Sequence, residues 1–212
     1  MSKTETDLVL RYMTVEDLAQ VVEIDAASFR PAWPERSYRF ELNESQISFM
    51  VSLEKCEERG VTGFQRLLNT LRRQQNGTVP QPVIVGYAGL WKIADEAHIS
   101  TIASHPDYRG RKYGEIMLAG MIGRAIALGA AYIVLEVRVS NKVAQALYSK
   151  YNFAIHGIKQ DYYHQDKEDA YDMRLHLSDE NIRAFWQRYE KLSRSIAFID
   201  HYSETPHPRL GY

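Results

Sequence analysis

Ile47, Phe49, Val51 and Leu53 alternate with less apolar neighbours, the two-residue period of a strand with one buried face. Similar short runs at 8–12, 83–92, 98–104, 131–139, 153–160 and 169–177 predict further strands. The helical period takes over elsewhere. Thr14-Val15-Glu16-Asp17 reads as a capping box with Asp in place of Glu, opening a helix through about Ala27 with Leu18, Val21 and Val22 on one face. The stretch SFRPAWPERSY (28–38) reads as loop, with Pro31 and Pro34 flanking Trp33, and a short helix follows near 35–43. Phe64, Leu67, Leu68 and Leu71 fall at i, i+3, i+4 and i+7, predicting an amphipathic helix over roughly 62–75, then a turn-rich linker at 76–82. Residues 112–128 are apolar around most of the helical circumference and predict a buried helix, with Gly129 as a left-handed stop. Ser140 or Asn141 caps a helix ending near Tyr151. Ser178 caps a last helix, in which Ile182, Phe185, Trp186, Tyr189 and Leu192 form an apolar stripe. The tail after about 200, with Pro206 and Pro208, is expected to be irregular. Strands alternating with helices predict a mixed α/β sheet covered by helices.

Composition narrows the function classes. With 212 residues, 45% apolar and 25% charged, the chain suits one globular domain with added elements. A net charge of −1 provides no global field for nucleic acid, so any attraction to anions is local. The single cysteine, Cys56, excludes an intrachain disulfide and a thiolate-rich metal site, and reads as a buried or incidental thiol. The histidines lack ligand spacing and no HExxH occurs, so no metal is expected. The N-terminus has no apolar signal region and no run of about 18 apolar residues occurs, so the expectation is a cytoplasmic protein without a membrane partner.

The chemistry concentrates between 98 and 153. In YRGRKYG (108–114), Arg109, Arg111 and Lys112 put three positive charges within four residues, while Gly110 and Gly114 let backbone approach a ligand. Alone, such a loop is more often a solvated turn. Its position between a strand and a buried helix is the order in which a helix N-terminus holds a pyrophosphate. On strand 131–139, Leu135, Val137 and Val139 point one way and Glu136, Arg138 and Ser140 the other. Glu136 therefore faces either a polar cleft or solvent, with Arg138 as its ion-pair partner in the second case.

The loop Arg109-Gly110-Arg111-Lys112-Tyr113-Gly114 resembles the Gln/Arg-x-x-Gly-x-Gly/Ala loop of the GNAT superfamily of acetyl-CoA-dependent N-acetyltransferases. SFRPAW (28–33), LEVRVSN (135–141), ALYSKYNF (146–153) and YYHQDKEDAYDM (162–173) resemble, more narrowly, the RimI type that acetylates the N-terminal alanine of a ribosomal protein. Arg30 stands where proline is usual, Asn152 replaces a glycine, and Lys112 replaces the first loop glycine. If that last position needs positive φ, cofactor binding is weakened or rearranged; if the loop runs straight into helical dihedrals, lysine is tolerated and adds charge. The resemblance covers about 8–177. It implies a mostly antiparallel twisted sheet with a splayed parallel central pair, flanked by helices. The corresponding division is an acetyltransferase domain at 1–177, with an inserted helical segment at about 54–82, and a helical extension and tail at 178–212.

The resemblance also implies roles. Acetyl-CoA is the co-substrate, held by the backbone of Ile102, Ala103 and Ser104, by the loop from Arg109 through Gly110, Arg111, Lys112, Tyr113 and Gly114 to Glu115, and by Asn141, for which helix capping is an equal explanation. Glu136 takes the place of the general base and Tyr148 that of the acid, although Tyr148 also fits as a packing residue on an amphipathic helix. Phe29, Trp33 and Tyr162 are candidate walls of an acceptor groove, and each fits a core position equally well. The implied partner is a protein or peptide N-terminus, a ribosomal protein among the candidates. A lysine or small-molecule amine acetyltransferase and a non-catalytic acetyl-CoA-binding module stay open beside it. The helix from 178 has three open roles: packing on the domain, forming a homodimer or covering the peptide entrance.

Overall fold

The computed structural model describes residues 7–58 and 80–211. The helix expected over 62–75 lies outside the described residues. Among the described residues eight strands form one sheet: β1 (Leu8–Tyr12), β2 (Ser48–Glu58), β3 (Pro80–Ile93), β4 (Glu96–Ser104), β5 (Tyr132–Arg138), β6 (Ala154–Tyr163), β7 (Glu168–His176) and β8 (Ile199–His201). Their order across the sheet is β6-β7-β5-β4-β3-β2-β1-β8. Neighbours are antiparallel except β4 with β5 and β1 with β8. The expected linker at 76–82 yields its last residues to β3, where Pro80 and Pro82 stand opposite Glu58 and Cys56. Long-range pairing overrides the local turn propensity there. Cys56 is exposed rather than buried.

Helices α1 (Leu18–Ser28) and α2 (Glu35–Asn43) cover one face, and α3 (Tyr113–Ala127), α4 (Lys142–Lys150) and α5 (Asp179–Ser195) pack with the other core. A single 3₁₀ turn, Val15–Asp17, precedes α1, and Asp17 accepts the Thr14 amide at 2.9 Å as the capping-box pattern requires. Strand alternation sorts the two cores directly: Phe49 and Val51 join the α3 side, while Met50 joins Leu18, Val21, Ile24 and Tyr38 under α1 and α2.

Helix α3 is buried along most of its length. Ile116, Met117, Leu118, Met121 and Ile122 are all fully buried, each worth about 1.5–3 kcal/mol relative to exposure. Gly120 is required by close approach, since a Cβ there would fall 2.3 Å from Leu10 Cδ2. Gly129, at φ +65°, ends the helix region as its position suggested.

The tail is not irregular from 200. Ile199–His201 forms β8, parallel to β1, and Tyr202 is fully buried with its hydroxyl donating to the Phe49 carbonyl at 2.9 Å. Asp200 accepts from the Tyr189 hydroxyl of α5 at 2.6 Å and from the Tyr202 and Ser203 amides at 2.9 Å. Three residues are too short a run to carry a strand signal, and tertiary hydrogen bonds decide the conformation.

Candidate active site

Strands β4 and β5 pair only through Glu96–His98 and Tyr132–Val134, then part. Beyond that point Ile102, Ala103 and Ser104 pair with β3 alone, leaving one side of their backbone open to the gap. A cavity of about 630 Å³ lies there, lined by those three residues, by Arg109, Gly110, Lys112, Tyr113, Gly114 and Glu115, and by Asn141 and Tyr148.

The loop that borders this cavity offers free amides and positive charge. It leads into α3, whose first turn leaves the amides of Tyr113, Gly114 and Glu115 without intrahelical acceptors at the positive end of the dipole. Gly110 has φ +77° and nothing within 4 Å of where a Cβ would sit, so the backbone is open to a ligand. Arg109 donates to the Ser104 carbonyl and the Ser28 hydroxyl, and Lys112 to the Ser195 hydroxyl, all uncharged partners. Their charge is left uncompensated by these bonds, which suits a pyrophosphate. Lys112 adopts φ +64°, ψ 10°, so the loop does require a left-handed residue where the chain carries lysine. Arg111 stacks over the Tyr108 ring at 5.2 Å and does not line the cavity. The Glu115 side chain is taken by Lys150 and by the Tyr151 hydroxyl at 3.0 Å, which leaves its backbone to serve a ligand. Asn141 caps α4, accepting the Ala144 amide at 3.1 Å, and still borders the cavity.

A second cavity of about 390 Å³ continues from the first, and Phe29, Trp33 and Tyr162 all line it, together with Glu136. Ile102, Asn141 and Tyr148 border both cavities. Tyr148 is 5% exposed, and burial pushes its phenol well above the ordinary range. It therefore keeps its proton and has a hydrogen to donate.

Glu136 is not paired with Arg138. Its two oxygens meet His98 Nε2 at 2.8 Å and Lys159 Nζ at 2.6 Å. Burial opposes its charge, but the hydrogen bonds from His98 and Lys159 win, holding the carboxyl at about 2. Arg138 instead meets Asp166 at 2.7 Å and Glu168 at 2.8 Å in the β6–β7 hairpin. Two residues apart on a strand share a face, yet here the partners of Glu136 come from other strands, His98 from the adjacent β4 and Lys159 from β6 across β7.

Asp25 is a further residue of this cavity that pattern reading did not single out. It is 1% exposed, accepts the Trp33 amide at 2.6 Å and the Tyr38 hydroxyl at 2.7 Å, and also accepts the Tyr87 hydroxyl. It thereby fixes the 28–34 loop against β3. A lone acidic residue inside an apolar helix face, at i, i+4 from Val21, was the available signal.

The Acetyltransferase (GNAT) family model matches residues 18–153. A Bacillus subtilis (strain 168) protein, provisionally named a ribosomal protein bS18-alanine N-acetyltransferase, is 31% identical over 175 residues, spanning 82% of this chain and 99% of its own. The ribosomal protein bS18-alanine N-acetyltransferase of Escherichia coli (strain K12) is 34% identical over 116 residues, 54% of this chain and 74% of that protein. The crystal structure of the ribosomal-protein-S18-alanine N-acetyltransferase from Escherichia coli superposes with a TM-score of 0.60 at 25% identity, covering 81% of this chain and 94% of that one.

Proposed function

The chain belongs to the GNAT acetyltransferase family, and from that premise we propose that it transfers acetyl from acetyl-CoA to the N-terminal α-amine of a protein, with a ribosomal-protein alanine as the first acceptor to test. The observation that carries this reading is the meeting of the two cavities at Tyr148, with the anion loop at one end and Glu136 in the wall of the other. The names of the Bacillus subtilis and Escherichia coli relatives support the alanine acceptor.

Acetyl-CoA supplies a thioester activated toward amines. Arg109, Gly110, Lys112 and the amides of the first α3 turn hold its pyrophosphate, and the open edge of Ile102–Ser104 lines its arm. Glu136 draws the acceptor ammonium to the cleft and takes up a proton, directly or through water. Tyr148 donates a hydrogen bond to the departing sulfur, a role its raised pKa suits better than full proton transfer. An α-amine near 7.7–8.0 is roughly one-tenth neutral at pH 7, against about 0.04% for a lysine near 10.4. A carboxylate as weakly basic as Glu136 therefore matches the α-amine better.

The test is thiol release over a peptide with a free N-terminal alanine and its N-blocked, lysine-containing counterpart. Turnover of the free peptide, slowed about 10²-fold or more in Glu136→Gln, is expected. Acetylation of the blocked peptide alone would overturn the α-amine assignment, and equal rates for the two proteins would remove Glu136 from the chemistry.

A further inference from the structure

The carboxylate in the acceptor cavity already holds a primary amine, one that belongs to the chain itself. Lys159 Nζ donates to Glu136 Oε1 at 2.6 Å and lies 5.5 Å from the centre of the Tyr162 ring. Those are the surroundings an incoming ammonium needs: an anionic acceptor and an aromatic face. The Lys159 side chain is 44% exposed and sits on β6, an outer strand of the sheet. Its pairing with β7 loses register between Lys159 and Tyr163, and Asp161 within that stretch has φ +49°. A four-carbon stem on such a strand moves without disturbing either core.

We propose that Lys159 is an internal acceptor: with acetyl-CoA bound and no protein N-terminus in the cleft, the enzyme acetylates its own Lys159 Nζ. This rests on the acetyltransferase reading given above. The Nζ lone pair forms the new N–C bond at the thioester carbonyl, the C–S bond breaks, and the sulfur leaves as thiolate beside Tyr148. Of the three ammonium protons, one stays on the amide, one passes by way of Glu136 to solvent, and one leaves with the thiol. The reaction is slow, because the bond to Glu136 raises the Lys159 pKa and so shrinks its neutral fraction. It is also self-relieving. Acetylation removes the Lys159 charge, which leaves Glu136 with one cationic donor fewer and makes it a stronger base for the next amine.

The test is peptide mapping by mass spectrometry after the full chain is incubated with acetyl-CoA, with and without a saturating peptide bearing a free N-terminal alanine. Lys167, exposed in the same hairpin, reports background chemical acetylation. The expected result is acetyl-Lys159 formed at least tenfold faster than acetyl-Lys167, at a rate independent of protein concentration. It should be suppressed by the peptide and slowed at least tenfold in Glu136→Gln. If the peptide turns over while Lys159 is modified no faster than Lys167, the inference fails and the transferase reading stands. Equal modification of Lys159 in Glu136→Gln also overturns the inference. If neither the peptide nor Lys159 is acetylated, both readings fall.

Discussion

Lys112 Nζ lies 3.0 Å from Ser195 Oγ, so the turn that opens α3 is tied to the last residue of α5. The same lysine holds a left-handed conformation at φ +64°. That conformation costs a residue with a Cβ about 1–2 kcal/mol, whereas glycine adopts it freely. Lys112→Gly gives back part of this gain through the greater freedom of the unfolded chain and loses one exposed hydrogen bond. The net expectation is a stabilisation of about 0.5 kcal/mol, a rise of about 1–2 °C in melting temperature. Coenzyme A affinity should move the other way and fall severalfold with the lost charge, as read by calorimetric titration. A lower melting temperature would show that the lysine is not strained.

Most of the sheet was legible because its strands alternate cleanly, and α3 because no polar face interrupts it. Asn141 and Ser178 were legible as caps, and their side chains accept the Ala144 and Asn181 amides. The candidate site's position was legible where it follows chain order: the loop from Arg109 to Gly114 precedes α3 and borders the first cavity, and Tyr148 and Asn141 border both. What stayed hidden depends on register. Nothing local in the sequence brings His98 and Lys159, from two other strands, to Glu136, and the nearer Arg138 was the natural guess. Nor does the sequence reveal that Ile199–His201 finds a partner in β1, since that pairing depends on a tail held by Asp200 and Tyr202.

The Glu136 carboxyl sits at about 2, below the ordinary carboxylate range, so it stays ionised at every pH where the protein is assayed. The sign follows: its charged form is fully present above the usual value near 4.3 and is lost only as pH falls through about 2. The rate of α-amine acetylation should therefore rise with pH toward the amine pKa of about 7.7–8.0, with no break near 4–5. A profile of kcat/KM from pH 4 to 9 reads this directly. A break near 4.5 that disappears in Glu136→Gln would mean the carboxylate titrates normally.

Tyr148→Phe removes one hydrogen-bond donor from the boundary of the two cavities and little else, since the ring is buried and packs 5.9 Å from Phe153. Loss of a donor that serves only the transition state lowers kcat by about 10²-fold and leaves KM within about twofold. Steady-state thiol release measures both constants. A rise in KM with unchanged kcat would instead make Tyr148 a wall of the cleft.

His207 makes the tail sensitive to acid. Its ring packs 4.9 Å from Tyr12 and 5.3 Å from Phe49, and its Nδ1 accepts the Arg209 and Leu210 amides at 3.1 Å. Burial, with Arg209 and Arg124 nearby, lowers its pKa from 6.5 to about 4. The folded chain thus refuses a proton that the unfolded chain takes up. The stability this gives is complete above about 6.5 and is lost as pH falls toward 4. Between pH 7 and 5 the loss, discounted for partial exposure, is about 1 kcal/mol, or about 2–4 °C. His207→Phe keeps a ring between Tyr12 and Phe49 but cannot titrate, so its melting temperature should fall by that much less than the wild type's over the same interval. Parallel thermal melts of the two proteins at pH 7 and pH 5 make the comparison, and identical shifts would mean that His207 is protonated in the folded state as readily as in the unfolded one.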